Sequence, residues 1–231
     1  YPPLYQCLQQ FPYQLPDLLR LLKLFYRCSL TLVSPVKLHF MIYLASKSPR
    51  RSQILLEADI SFKILVPSVD EVFNPKESVH KNAKRLSLLK ANAALSMIQK
   101  MKLEFMPILC ADTIVAVDGV MLGKPADKTE AKAMLNLLSN NMHAVVTGVT
   151  VIDQQGGSHS ISVETNLYFK NLSESEIEEY INTDEPYDKA GGISSQGGAK
   201  AFITKIDGSY SNVLGLPIEE SLDLLKKIEA I

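Results

Sequence analysis

Residues 41–58 read MIYLASKSPRRSQILLEA. Met41–Ala45 is a short apolar run of strand type. Ser48 and Pro49 then supply a helix start, a serine at the cap and a proline in the first turn. Ile54, Leu55 and Ala58 give that helix its apolar side. A strand that feeds straight into a helix is the opening unit of an α/β domain.

Downstream the alternation continues. Residues 62–67 read as a second strand leading to Ser68-Val69-Asp70-Glu71. Residues 77–101 read as a long helix in which Leu86, Leu89, Ala93 and Met97 recur at helical spacing and predict one apolar face. Residues 108–111 form an apolar strand ending at Asp112, and residues 114–117 and 120–122 flank Asp118-Gly119, a favourable hairpin turn. Asp127 and Glu130 resemble a capping box before a helix over 131–138. Residues 143–153 and 158–169 predict a long hairpin around Gly156-Gly157. After it come a short helix over 174–181, a glycine-rich loop over 186–198, a strand over 199–206 and a closing helix over 218–228.

Residues 1–40 differ in kind. They hold Pro2, Pro3, Pro12, Pro16 and Pro35, and a leucine-rich stretch interrupted by Arg20, Lys23 and Arg27. No run there reaches the roughly 18 apolar residues that cross a bilayer, and no cleavable secretory signal is clear. The segment reads as an extension outside a domain spanning residues 41–231. The alternative is a short amphipathic helix that docks on the domain or on a membrane surface.

The 231 residues suffice for a substantial core, and the net charge of about −1 is close to neutral. Bulk charge therefore points to neither a nucleic-acid polymer nor an anionic membrane. Any phosphate binding has to come from a few placed residues. Cys7, Cys28 and Cys110 form no C-x-x-C pair, so a disulfide framework is not expected and a cytoplasmic location is. His39, His80, His143 and His159 share no metal-ligand spacing.

Several stretches could carry chemistry. Ser46-Lys47-Ser48-Pro49-Arg50-Arg51 lies where a strand gives way to a helix. Helix amides, hydroxyls and arginine forks there could cradle a phosphate, or could form an ordinary helix cap with solvated arginines. Asp70-Glu71 and Asp112 follow apolar strands. Two such acids could hold Mg²⁺ or Mn²⁺, and one could take a proton from water, although each alone also suits a turn or cap. Lys90 sits among apolar helix residues, either snorkelling to solvent or reaching a phosphate. Lys124, between Gly123 and Pro125, is a phosphate ligand or a turn lysine. Tyr187 to Gly198 is glycine-rich, and the amide of Gln196 could read the edge of a base.

Taken in order, LASKSPRR (44–51), SVDE (68–71), KANAA (90–94), ADTIV (111–115), GKP (123–125) and YDKAGG with SQG (187–192 and 195–197) closely resemble the motif series of the Maf family of nucleotide pyrophosphatases. The resemblance covers about residues 41–230. It implies a Maf/ITPase-like α/β fold, an elongated mixed sheet with flanking helices and a cleft between two lobes. It also implies hydrolysis of a nucleoside triphosphate between its α- and β-phosphates with Mg²⁺ or Mn²⁺, and it suggests a homodimer. By the same resemblance Asp112 is the proton acceptor, and Glu71 binds metal together with Asp112. Ser48, Arg51, Lys90 and Lys124 hold the triphosphate.

Within that family, Arg50, Thr113 and Gln196 resemble the branch acting on dTTP and UTP. The branch acting on 7-methyl-GTP carries Trp at the Arg50 position, and this chain contains no Trp. The loop Gly192-Ile193-Ser194-Ser195 departs from the aromatic-containing form associated with the dTTP/UTP branch. Two alternatives remain open at this level. One is the same reaction on 7-methyl-GTP or a non-standard purine triphosphate. The other is a nucleotide-sensing regulator of cell division.

Overall fold

The structure is a computed structural model and describes residues 41–231. What is expected of residues 1–40 lies outside the described residues. A strand without polar alternation must be covered on both faces. Met41–Ala45 (β1) is such a strand: Ile42 and Leu44 pack into one cluster of helices, Tyr43 and Ala45 into another. The remaining strands are β2 (Ser61–Leu65), β3 (Ile108–Val117), β4 (Val120–Leu122), β5 (Met142–Ile152), β6 (Ser158–Phe169) and β7 (Ile203–Asp207). Together these described strands form one mixed sheet in the order β2-β1-β3-β5-β6-β7, with β4 paired to β3.

β3 organises the sheet. One of its edges runs antiparallel to β5 along nearly its whole length, from Ile108 opposite Ile152 to Ala116 opposite Ala144. Its other edge is shared. Ile108 and Leu109 pair with β1, Val115 to Val117 pair with β4, and the residues between have no strand partner on that side. The sheet therefore forks at Cys110–Ile114. The sequence reading ended this strand at Asp112. The strand instead runs through it, because Ile114–Ala116 continues the pairing with β5 and Val115–Val117 pairs with β4, so Asp112 lies mid-strand.

Helix α2 (Val79–Met101) crosses one face of the sheet. Its buried side is Asn82, Ala83, Leu86, Ser87, Ala91, Ala94 and Ile98. The predicted apolar face was displaced: Leu89 is exposed, and small residues take its place because the helix lies very close to the sheet. At the closest approach, a Cβ on Gly148 would sit 2.1 Å from the Ala83 carbonyl oxygen. Buried hydroxyls fix the helix further along, where Ser87 Oγ meets Thr150 Oγ1 at 2.7 Å.

The opposite face carries two separate apolar clusters. Helices α1 (Pro49–Glu57) and α6 (Ile218–Lys227) cover Leu44, Leu109, Ala111 and Val149. Helices α3 (Lys128–Leu138) and α4 (Glu174–Ile181) cover Val115, Val117, Val145 and Leu167. Between the clusters Thr113, Thr147 and Thr165 replace aliphatic residues, capped by buried Asn212 of α5 (Tyr210–Val213). The Asn212 amide donates to the Val145 carbonyl and to Thr165 Oγ1, both at 3.0 Å.

Smaller expectations were adjusted. The 199–206 strand begins only at Ile203, after a 3-10 turn over Gly198–Phe202. The capping box at α3 is split: Asp127 accepts from the Glu130 amide, but Glu130 accepts from Ala126 rather than from the cap residue.

Candidate active site

The fork in β3 opens into a cleft of about 1100 Å³. Ser48, Arg50, Arg51, Glu71, Lys90, Asp112, Thr113, Lys124 and Gln196, drawn from widely separated stretches of sequence, all line it. It lies beyond the carboxyl ends of the parallel strands β1 and β2, where α/β sheets collect ligands.

Strand pleating divides the chemistry at β3. Thr113 points to the helix α1 side. Its Oγ1 accepts from Arg51 Nη2 at 3.2 Å and meets Thr147 Oγ1 at 2.9 Å. Arg51 also donates through Nε to the Gly215 carbonyl at 2.7 Å and through Nη1 to Ser46 Oγ at 3.1 Å. Burial lowers the pKa of its guanidinium, opposed by the Asp112 carboxylate. An arginine so placed still holds its charge at neutral pH. Ser46, part of the candidate cradle stretch but given no role of its own from the sequence, also accepts from the Ser48 amide at 3.1 Å. Ser48 is the cap residue of α1, yet its hydroxyl makes no capping bond.

Asp112 points the other way, toward α2, and is only 5% exposed. Its carboxylate accepts a hydrogen bond from Lys90 Nζ, and the same ammonium lies 2.9 Å from Glu71 Oε1. Lys90, read from the sequence as either snorkelling to solvent or reaching a phosphate, lies between two acids in the cleft wall, with its side chain 14% exposed. Burial works against the charge on Lys90, but Asp112 and Glu71 outweigh it and hold its pKa above the ordinary value. Glu71 also meets a burial penalty, and the hydrogen bond and charge of Lys90, then Lys124 and Arg51, pull its pKa below the ordinary value. Both shifts keep these two groups ionised at neutral pH.

Among the described residues no three of His, Cys, Asp and Glu gather into a metal cluster. Two hard oxygen donors do converge on one point that already holds a cation, the Lys90 ammonium. That donor set suits Mg²⁺ or Mn²⁺, which use one or two carboxylates and complete their shells with phosphate oxygens and water.

The remaining wall comes from two tied loops. The amide of Gly191, in the left-handed region at φ 67°, donates to the Gly123 carbonyl at 2.8 Å. A Cβ at Gly191 would press on Val115, so this close approach favours glycine. The tie fixes the turn carrying Lys124, whose side chain is exposed to the cleft. Tyr180 Oη accepts from the Ser194 amide at 3.1 Å, and Glu185 Oε2 accepts from the Gly198 amide at 2.9 Å. Gln196 sits on the exposed turn between them. The segment expected to be a plain glycine-rich loop thus contains short 3-10 turns.

The sequence profile of a family described as Maf-like protein matches residues 41–228. The dTTP/UTP pyrophosphatase of Aliivibrio fischeri is 42% identical over 184 residues, covering 80% of this chain and 96% of that protein. The dTTP/UTP pyrophosphatase of Photobacterium profundum is 44% identical over 182 residues, covering 78% and 92%. Among solved structures, a HAM1 protein from Coxiella burnetii aligns at a TM-score of 0.46 and 12% identity, over 81% of this chain and 99% of that one.

Proposed function

This chain belongs to the Maf family, and on that premise we propose that it hydrolyses dTTP and UTP to the monophosphate and pyrophosphate. The observation that carries the reading is the convergence, in one cleft, of two carboxylates on one ammonium beside a half-buried arginine. A triphosphate needs cationic groups to hold it, and water needs a base beside the phosphorus it attacks.

Asp112 takes the role of base. It orients a water molecule and accepts its proton as the water oxygen bonds to the α-phosphorus, and the bond to the bridging oxygen breaks with release of pyrophosphate. Arg51, Lys90, Lys124 and the Ser48 hydroxyl hold the triphosphate, and Lys90 also pairs with the Asp112 carboxylate. Glu71 and Asp112 would hold Mg²⁺ or Mn²⁺, which neutralises charge on the triphosphate when bound. Arg50, Thr113 and Gln196 sort substrates, and the Gln196 amide, able both to donate and to accept, reads a base edge. Among the described residues no helix is long and apolar enough to cross a membrane. A cytoplasmic setting fits the buried free thiol of Cys110, whose pKa burial pushes up to about 12.

The test is a panel of nucleoside triphosphates assayed for pyrophosphate release with Mg²⁺ or Mn²⁺, with turnover repeated in ¹⁸O-water. The reading predicts preference for dTTP and UTP and label in the monophosphate. Preference for 7-methyl-GTP, or label in pyrophosphate, would overturn it. Binding without turnover would favour a sensor.

A further inference from the structure

Glu71 stands on a long connection between β2 and α2, and its side chain is 48% exposed. A carboxylate on such a segment reaches Lys90 and the cleft only if the segment itself is held. The hold is built into the first turns of α2. Asn82 is fully buried, and its amide nitrogen donates to the carbonyls of Asn74, Glu77 and Ser78 at 3.0, 3.2 and 3.2 Å. Its oxygen accepts from the Asn74 amide at 2.8 Å. Arg85 stands on the same side of the helix. Its Nη2 donates to Asn82 Oδ1 at 2.6 Å and to the Val72 carbonyl at 2.9 Å, and its Nε pairs with Glu77 Oε2 at 2.9 Å.

Val72 is the residue next to Glu71. Arg85 therefore grips the backbone one residue from the carboxylate that meets Lys90, and Lys90 stands on the same helix. Arg85 and Lys90 are five residues apart, an axial rise of roughly 7.5 Å. One helix thus holds this stretch twice, at the Val72 carbonyl through Arg85 and at the Glu71 carboxylate through Lys90. We propose that Arg85, held in place by Asn82, is a positioning residue that sets Glu71 against Asp112 for cation binding. The planar fork of arginine suits this task, because it serves a carboxylate, an amide oxygen and a main-chain carbonyl in fixed directions. The proposal rests on the metal-holding role assigned above to Glu71.

The experiment is a double-mutant cycle on the full chain with Arg85→Met and Glu71→Ala, read by calorimetric titration of Mn²⁺ in the absence of nucleotide. Second-sphere partners of metal-holding groups typically matter by 10- to 100-fold in affinity. Arg85→Met is expected to weaken Mn²⁺ binding by about tenfold and to have no further effect in the Glu71→Ala background. Arg85→Lys should recover only part of the loss, and it carries the same cycle if Arg85→Met fails to fold. If Glu71→Ala weakens binding while the Arg85 variants do not, or if the two losses simply add, Arg85 does not act through Glu71 and the proposal falls alone. If Glu71→Ala leaves Mn²⁺ binding unchanged, the metal-holding role of Glu71 falls, and the proposal with it.

Discussion

Asp112 and Thr113 are consecutive residues on β3 that address opposite faces of the sheet, and both still line one cleft. Asp112 binds Lys90 on α2, and Thr113 binds Arg51 on α1. In an unbroken sheet the pleat would assign two such neighbours to different compartments. Here β3 lacks a strand partner on one edge between Leu109 and Val115, so both faces are reached from the same opening. A substrate entering there meets an acid and a threonine-braced arginine together.

The first prediction concerns Lys90. Removing its ammonium takes from Glu71 the hydrogen bond and positive charge that hold its pKa below the ordinary value. Loss of a positive neighbour raises a carboxyl pKa. A Lys90→Met variant should therefore show the acid limb of its kcat/KM profile displaced to higher pH, losing more activity at pH 6 than at pH 8. Parallel profiles for variant and parent would refute the pairing as a functional one.

Gly148 stands opposite Asp112 in the β3–β5 ladder. A methyl group there meets the Ala83 carbonyl and the Lys84 amide of α2 at 2.1 and 2.6 Å, backbone atoms that cannot swing aside. Gly148→Ala should cost about 1–3 kcal/mol or more in stability. It should also lower activity by pushing Lys90 away from Asp112. Thermal melts with parallel turnover measure both, and an unchanged melting temperature would contradict the close packing.

His143 is fully buried with neither ring nitrogen hydrogen-bonded, packed edge-on to Phe169 at 4.6 Å. Burial lowers its pKa from 6.5 to about 4. The unfolded chain thus binds a proton that the folded chain refuses between those values. The contribution of His143 is fully present above pH 6.5 and is lost progressively as pH falls toward 4, on the order of 3 kcal/mol in all. His143→Leu should flatten the stability profile over that window. An equally steep profile in the variant would assign the acid sensitivity elsewhere.

Gln196→Glu replaces an amide that both donates and accepts with an acceptor-only carboxylate. The order of preference among pyrimidine triphosphates should change more than the rate with the best substrate. Competition assays decide this, and an unchanged order would remove Gln196 from the specificity set.

Much of this was legible in the sequence because period and punctuation are local. The strand over Met41–Ala45, the helix behind Pro49 and the hairpin at Asp118-Gly119 all formed where apolar spacing and turn chemistry placed them. On α2 the expectation holds at Leu86 and fails at Leu89, because aliphatic residues look like the packing side. A helix this close to a sheet buries Ala83, Ser87, Ala91 and Ala94 instead. The mid-strand position of Asp112 was missed for a related reason, since a polar residue inside an apolar run looks like its end. Asn82 and Arg85 carry no motif. Their roles arise from partners many residues away or from a loop conformation that no spacing rule encodes.

The most direct measurement is single-turnover hydrolysis of dTTP by the parent chain and by Asp112→Asn at saturating Mg²⁺, with thermal melts confirming that both are folded. Loss of a general base of this kind typically lowers the rate by about 10²–10⁴-fold. A fall of that size in dTMP and pyrophosphate formation, with nucleotide binding kept, is the predicted result. Turnover by Asp112→Asn close to that of the parent would contradict the assignment of Asp112 as the base.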